Sequence, residues 1–257
     1  MPVNYKKLNE FLLLAGNKLL KQSQRFLTEP ADQVVIKKIE IDLERRIKKL
    51  ILNFDPGAQF FAEEEDAVYL ATEDLWVIDP ISSTFAFATA QGHFSLVATH
   101  LRHGTPVFAV VYDPSARELF TAYKGRGAFL NKKRIRMNSP TTSVPKIIFN
   151  QHVKWHGGKN AYDLVHTLYC HRKFKTYSGT SSFATNYCHV AAGRYDGIIA
   201  LTNDTFTEYA GSLIIREAGG FFATRDGQTN FKAIDRIFIA GKTTIRGLLV
   251  QTVQNEL

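Results

Sequence analysis

The chain has 257 residues, 45% of them hydrophobic and 22% charged, with a formal net charge of +8. Such a chain can bury a large core, and it contains no low-complexity tract and no run of eighteen apolar residues that could cross a membrane as a helix. Its two cysteines, Cys170 and Cys188, form no CxxC and no metal spacing, so they read as reduced and structural.

Leu8, Phe11, Leu12, Ala15 and Leu19 recur at helical spacing with Glu10 among them. This predicts an amphipathic helix and not a signal peptide, and hence a cytoplasmic protein. Ile36, Ile39, Leu43, Ile47 and Leu50 predict a second helix, with Glu44 and Lys48 paired at i,i+4 on its flank. The acidic run Glu63, Glu64, Glu65 and Asp66 follows an apolar pair and reads either as a solvated turn or as oxygen ligands for Mg²⁺. In "WVIDPISSTFAF" an apolar run reaches Asp79, Pro80 breaks the strand, and Ser82, Ser83 and Thr84 make a small-residue loop. Glu40 lies beside Ile39 on the second helix.

Strands are expected at "FSLVATHL", "VFAVVYD" and "ELFTAYK", the last two as a hairpin around "PSAR". Residues Lys124 to Met137 carry six basic side chains and no acid, either as a solvated hairpin or as a surface for an anionic partner. The turn-forming stretch Asn138 to Pro145 divides the chain. We expect an N-terminal α+β half over 1–140 and a C-terminal α/β half over 141–257, joined in one compact unit. In the second half "IIFN", "DGIIAL" and "RIFIAG" predict buried strands, and the helix "TEYAGSLIIREAGG" stops at its glycine pair. Ser181 and Ser182 in "GTSS" suit a phosphate-contacting turn as well as a helix N-cap. His152 and His156 give no metal signature.

The order of these pieces resembles the inositol monophosphatase family: an acid pair after an apolar run, "WVIDPI..T", "VVYDP…ELFTAYKGRGAFLN", "VAAGRYDG" and "AGSLIIREAGG". The likeness is to the bacterial, extragenic-suppressor-like branch. It implies a five-layer αβαβα sandwich, a homodimer, and Mg²⁺-dependent hydrolysis of small phosphate monoesters. It places metal ligands at Glu63, Asp79 and the Ile81 carbonyl, and a water-activating pair at Glu40 and Thr84. Phosphate contacts fall at Ser83, Thr84, Ser181 and Ser182.

The chain departs from the family pattern where the chemistry is densest. Two metal-binding aspartates are replaced by Ser82 and Thr207, and the acid that would hold inositol hydroxyls by Ala200. Glu208 points elsewhere by helix geometry, which leaves Asp204 as the best compensating carboxylate. The resemblance therefore implies a depleted Mg²⁺ site with weak or lost activity, in a binding or regulatory protein. The alternative is a working phosphatase on inositol phosphate or another sugar phosphate, or a phosphate-sensing module. A branch precedent adds an RNA polymerase- or RNA-associated partner, with Lys124–Arg136 as the contact surface.

Overall fold

The computed structural model describes residues 3–65, 68, 69, 72–137, 144–152 and 166–256. Asp66, His156 and the division expected at 140/141 lie outside them. Helix α1 (Tyr5–Arg25) and helix α2 (Gln33–Leu52) form where the periodicity predicts them. Each starts on a side-chain cap: Asn4 accepts the Lys7 N–H at 3.1 Å, and Asp32 that of Val35 at 2.8 Å.

A seven-stranded sheet follows in the order β1 (Gln59–Ala62), β2 (Asp74–Ser82), β3 (Ser95–Arg102), β4 (Thr105–Asp113), β5 (Glu118–Tyr123), β6 (Gly127–Leu130) and β7 (Lys133–Ile135). Only β1 and β2 run parallel; the other neighbours are antiparallel. The short helix α3 (Thr84–Ala88) follows β2. The second sheet has the order β11 (Phe221–Thr224), β12 (Ile237–Gly241), β10 (Gly197–Leu201), β8 (Lys146–Gln151) and β9 (Lys175–Ser178). Helix α4 (Phe183–Ala191) and helix α5 (Phe206–Glu217) lie between the sheets, and α6 (Arg246–Glu256) covers the outer face of the second.

Strand alternation explains the layers, because successive side chains point to opposite faces. Trp76 and Ile78 of β2 join Leu8, Leu12, Leu43 and Ile47 of the outer helices. Leu75 and Val77 turn the other way and meet Phe206 and Tyr209 of α5. In β10, Ile198 and Ala200 face α4 and α5, while Ile199 and Leu201 face Leu249 and Val253 of α6. With both faces covered, these strands read as unbroken apolar runs. The result is the five-layer αβαβα sandwich.

Two glycines matter for the packing. A Cβ on Gly211 would stand 2.4 Å from the Tyr187 ring, so α4 and α5 can approach only because that side chain is missing. Gly219, at φ +90°, ends α5 in the left-handed conformation.

Two expectations are corrected here. Pro80 does not break β2, which runs on to Ser82 with a register shift between Asp79 and Ser82. Glu44 is not on a solvated flank; it is fully buried and takes the N–H groups of Glu64 (2.7 Å) and Glu65 (3.2 Å) as well as the Lys48 ammonium (2.6 Å).

Candidate functional site

The register shift in β2 builds the floor of a cavity. Asp79 pairs with Val97 and Ser82 with Ser95, so three steps on β2 oppose two on β3. In a regular strand, residues three apart face opposite sides; the extra residue turns Asp79 and Ser82 to the same side. Pro80, which has no N–H to donate, sits within this irregularity. The cavity is about 440 Å³ and is lined by Glu63 from the end of β1, by Asp79 and Ser82, and by Ser83, Thr84 and Phe85 at the start of α3. Opposite them stand Asn150, Gln151 and His152 at the C-terminal end of β8, Thr202 and Asp204 beyond β10, and Ser181, Phe183 and Thr207 at the starts of α4 and α5.

The acidic turn distributes its three described glutamates. Glu64 pairs with Lys37, and Arg45 pairs with Glu65 at 2.6 Å. With the neighbouring N–H groups held by Glu44, only Glu63 is left to line the cavity. Glu63 and Asp79 line the same cavity and act on each other's ionisation. Burial pushes the Glu63 carboxyl up to about 7, and the charges of Asp204, Glu64 and Glu40 add to it. Burial also holds Asp79 well above the usual carboxylate range, followed by repulsion from Glu63. Asp204 is raised mainly by burial. Asp79 Oδ1 is buried and has no hydrogen-bond partner. Three crowded carboxylates, one with an orphaned buried oxygen, are a donor set that fits a hard divalent cation.

Glu40 is 4% exposed and accepts the Thr84 hydroxyl at 2.5 Å, so the two residues are hydrogen-bonded to each other. Burial raises Glu40 to about 7, against the opposing bond from Thr84. Ser83 holds φ +76°, a left-handed conformation that suits glycine, with no side-chain cap to compensate. Ser182 is the N-cap of α4, accepting the Thr185 N–H at 3.3 Å. Its hydroxyl also bonds Ser95 Oγ at 2.8 Å and Ser82 Oγ at 3.2 Å, a buried hydroxyl chain behind the cavity wall.

Ala200 does not belong to the cavity. It is fully buried on the β10 face packed against α4 and α5. Ile81 buries its side chain beneath the site and is not among the lining side chains. Glu208 is turned away, bonded to Thr207 Oγ1 (3.1 Å) and Tyr187 Oη (3.3 Å), and burial pushes it up to about 8. Sequence reasoning missed Phe85, Asn150, Gln151, Phe183 and Thr202. A signal existed for three of them: polar residues that end apolar runs fall at the carboxyl ends of parallel strands, where α/β sheets open their crevices.

A carboxylate-floored pocket at strand ends, in a five-layer αβαβα sandwich, has the oxygen donors to hold a hard cation. The inositol monophosphatase family model matches residues 10–257, and the chain belongs to that family. It is 29% identical over 246 residues to the Nus factor SuhB of Haemophilus influenzae, covering 91% of this chain and 90% of that protein. It is 30% identical over 203 residues to an inositol-1-monophosphatase of Rhizobium meliloti, covering 78% and 75%. The extragenic suppressor protein suhB from Bartonella henselae shares the fold, with a TM-score of 0.84 at 22% identity over 98% of this chain and 99% of that one.

Proposed function

We propose that this protein keeps its family's pocket as a binding site for a small phosphate ester with one weakly held Mg²⁺. Phosphomonoesterase turnover is weak or lost, and the chain acts as a binding or regulatory protein, with the homodimer of its family. One observation carries this reading. Among the described residues lining the cavity, only Glu63, Asp79 and Asp204 are carboxylates, and Ser82 and Thr207, which by the resemblance take the places of two family aspartates, line it as neutral hydroxyls. Glu63, Asp79 and the Ile81 carbonyl would hold the ion, with Asp204 as the compensating acid. Mg²⁺, when bound, supplies charge neutralisation of phosphoryl oxygens and acidifies a water. Ser83, Thr84 and Ser181 would orient the phosphate, while Ser182, expected to contact it as well, is instead buried behind the wall as the cap of α4, and Glu40 fixes the Thr84 hydroxyl and can hold a proton near neutral pH.

The test is phosphate release from a panel of phosphomonoesters, with and without Mg²⁺, beside Asp79→Asn as the blank for contaminating phosphatase. The expected outcome is turnover indistinguishable from that blank. Mg²⁺-dependent turnover abolished by Asp79→Asn would establish the alternative, a working phosphatase.

A second observation favours a macromolecular partner. Strands β6 and β7 form the expected hairpin, and Lys124, Arg126, Lys132, Lys133, Arg134 and Arg136 are all exposed on it or at its ends. Relatives named Nus factor SuhB make a transcription-associated, RNA-bearing partner the natural candidate. Replacing four of these six with glutamate is expected to weaken RNA retention in a filter-binding assay by more than about 10-fold, and to flatten its salt dependence. Unchanged retention would remove the hairpin from consideration.

A further inference from the structure

Asp55, Asp74 and His100 stand apart from the phosphate pocket, at the opposite end of β2. Asp74 opens the strand and Asp79 lies five residues on, about 17 Å along it. His100 lies directly across from Trp76 in the β2–β3 pair and stacks on its indole at 4.5 Å and 4°. It is fully buried. The Tyr5 hydroxyl at the start of α1 engages its Nδ1 at 2.8 Å, so Nε2 is the ring atom turned toward the acids. That Nε2 touches Asp74 Oδ1. Asp55, in the turn after α2, accepts the Trp76 indole N–H at 2.9 Å. One ligand atom from each of Asp55, Asp74 and His100 lies within 4.8 Å of the other two.

We propose that Asp55, Asp74 and His100 form a second cation site, for a transition-type divalent ion of the Zn²⁺ class. One imidazole nitrogen and two carboxylates suit such an ion, whereas Mg²⁺ prefers an all-oxygen shell. The surroundings favour metal binding in three ways. The outer ring nitrogen is already held by a hydroxyl, as metal-bound histidines require for orientation. The Arg102 guanidinium is 4.0 Å from Asp74 Oδ2 and leaves Oδ1 facing the histidine. Asp55 and Asp74 are half-buried, which leaves water a route to complete the shell. The ion would tie α1, the end of α2 and the sheet together at one point.

The chain carries its own reporter, since Trp76 touches two of the three ligands and Trp155 is the only other tryptophan. Full-length Trp155→Phe protein, stripped with chelator, would be titrated with Co²⁺ alone. Saturable quenching of Trp76 and the visible absorption of nitrogen-ligated Co²⁺ are read together. Both signals should persist in Asp79→Asn, which cripples the phosphate pocket. They should weaken by more than about 100-fold in Asp74→Asn and in Asp55→Asn, whose amide oxygen can still accept the indole N–H. Circular dichroism without metal confirms that each variant folds, and either variant suffices. Titrations of both variants that match wild type would overturn the proposal, as would loss of all Co²⁺ uptake in Asp79→Asn.

Discussion

A chain carrying Ser82→Asp together with Thr207→Asp is expected to release phosphate in Mg²⁺ on the order of 10⁴-fold faster than the wild-type chain. Each preorganised charge that stabilises a phosphoryl transition state contributes about 3 kcal/mol, and each 1.36 kcal/mol is about tenfold in rate. Ser82 and Thr207 are 5% and 6% exposed and line the same cavity as Asp79, so carboxylates there would converge on one ion. Either single change should recover about 10²-fold. The gain has a cost without metal, because a fourth and fifth carboxylate would join three whose pKa values burial already raises, with Asp204 adding to the rise at Glu63 and Asp79. The double variant should therefore melt lower than wild type in chelator and higher in Mg²⁺. A double variant that binds Mg²⁺ yet turns over no faster would show that the missing aspartates are not what limits this site.

The second large effect is on stability. Glu63 is raised from 4.5 to about 7 in the folded chain, so the folded state holds its proton where the unfolded chain has released it. The stabilisation is complete below about pH 4.5 and is lost as pH rises through about 7. The shift corresponds to a loss on the order of 3 kcal/mol over that range. Glu40, also raised to about 7, moves in the same direction. Urea unfolding of metal-free protein at pH 5 and pH 8, compared with Glu63→Gln, isolates the effect: the variant should lose less. Mg²⁺ should restore stability at pH 8 in wild type and much less in Asp79→Asn. A wild type and a Glu63→Gln variant with the same pH dependence would contradict the burial argument.

Most of the architecture was legible in short-range pattern. The helices at Tyr5–Arg25 and Gln33–Leu52, the hairpin around "PSAR" and the glycine stop after α5 follow from spacings of two to four residues. The site was legible where one segment carries it, as with Asp79, Ser82, Ser83 and Thr84. Legibility failed where a local cue had a competing cause. A proline within an apolar run usually ends a strand, yet here it marks the irregularity that aims Asp79 and Ser82. The Glu44–Lys48 spacing is that of a surface pair, but Glu44 instead organises the turn that presents Glu63. Asn150, Thr202 and the Asp55–Asp74–His100 cluster depend on pairings between segments distant in sequence, which no local window contains.

The left-handed backbone at Ser83 carries a further meaning. A serine pays about 1 kcal/mol to stay where a glycine would rest freely, and the surrounding strand and helix hold it there regardless. The loop is therefore a mould whose shape belongs to the architecture and not to the residues that fill it. A mould of that kind can lose its reactive groups and still accept them back by side-chain exchange alone, with no reshaping of the main chain. For anyone seeking to give this pocket a different chemistry, the costly part of the work is already done.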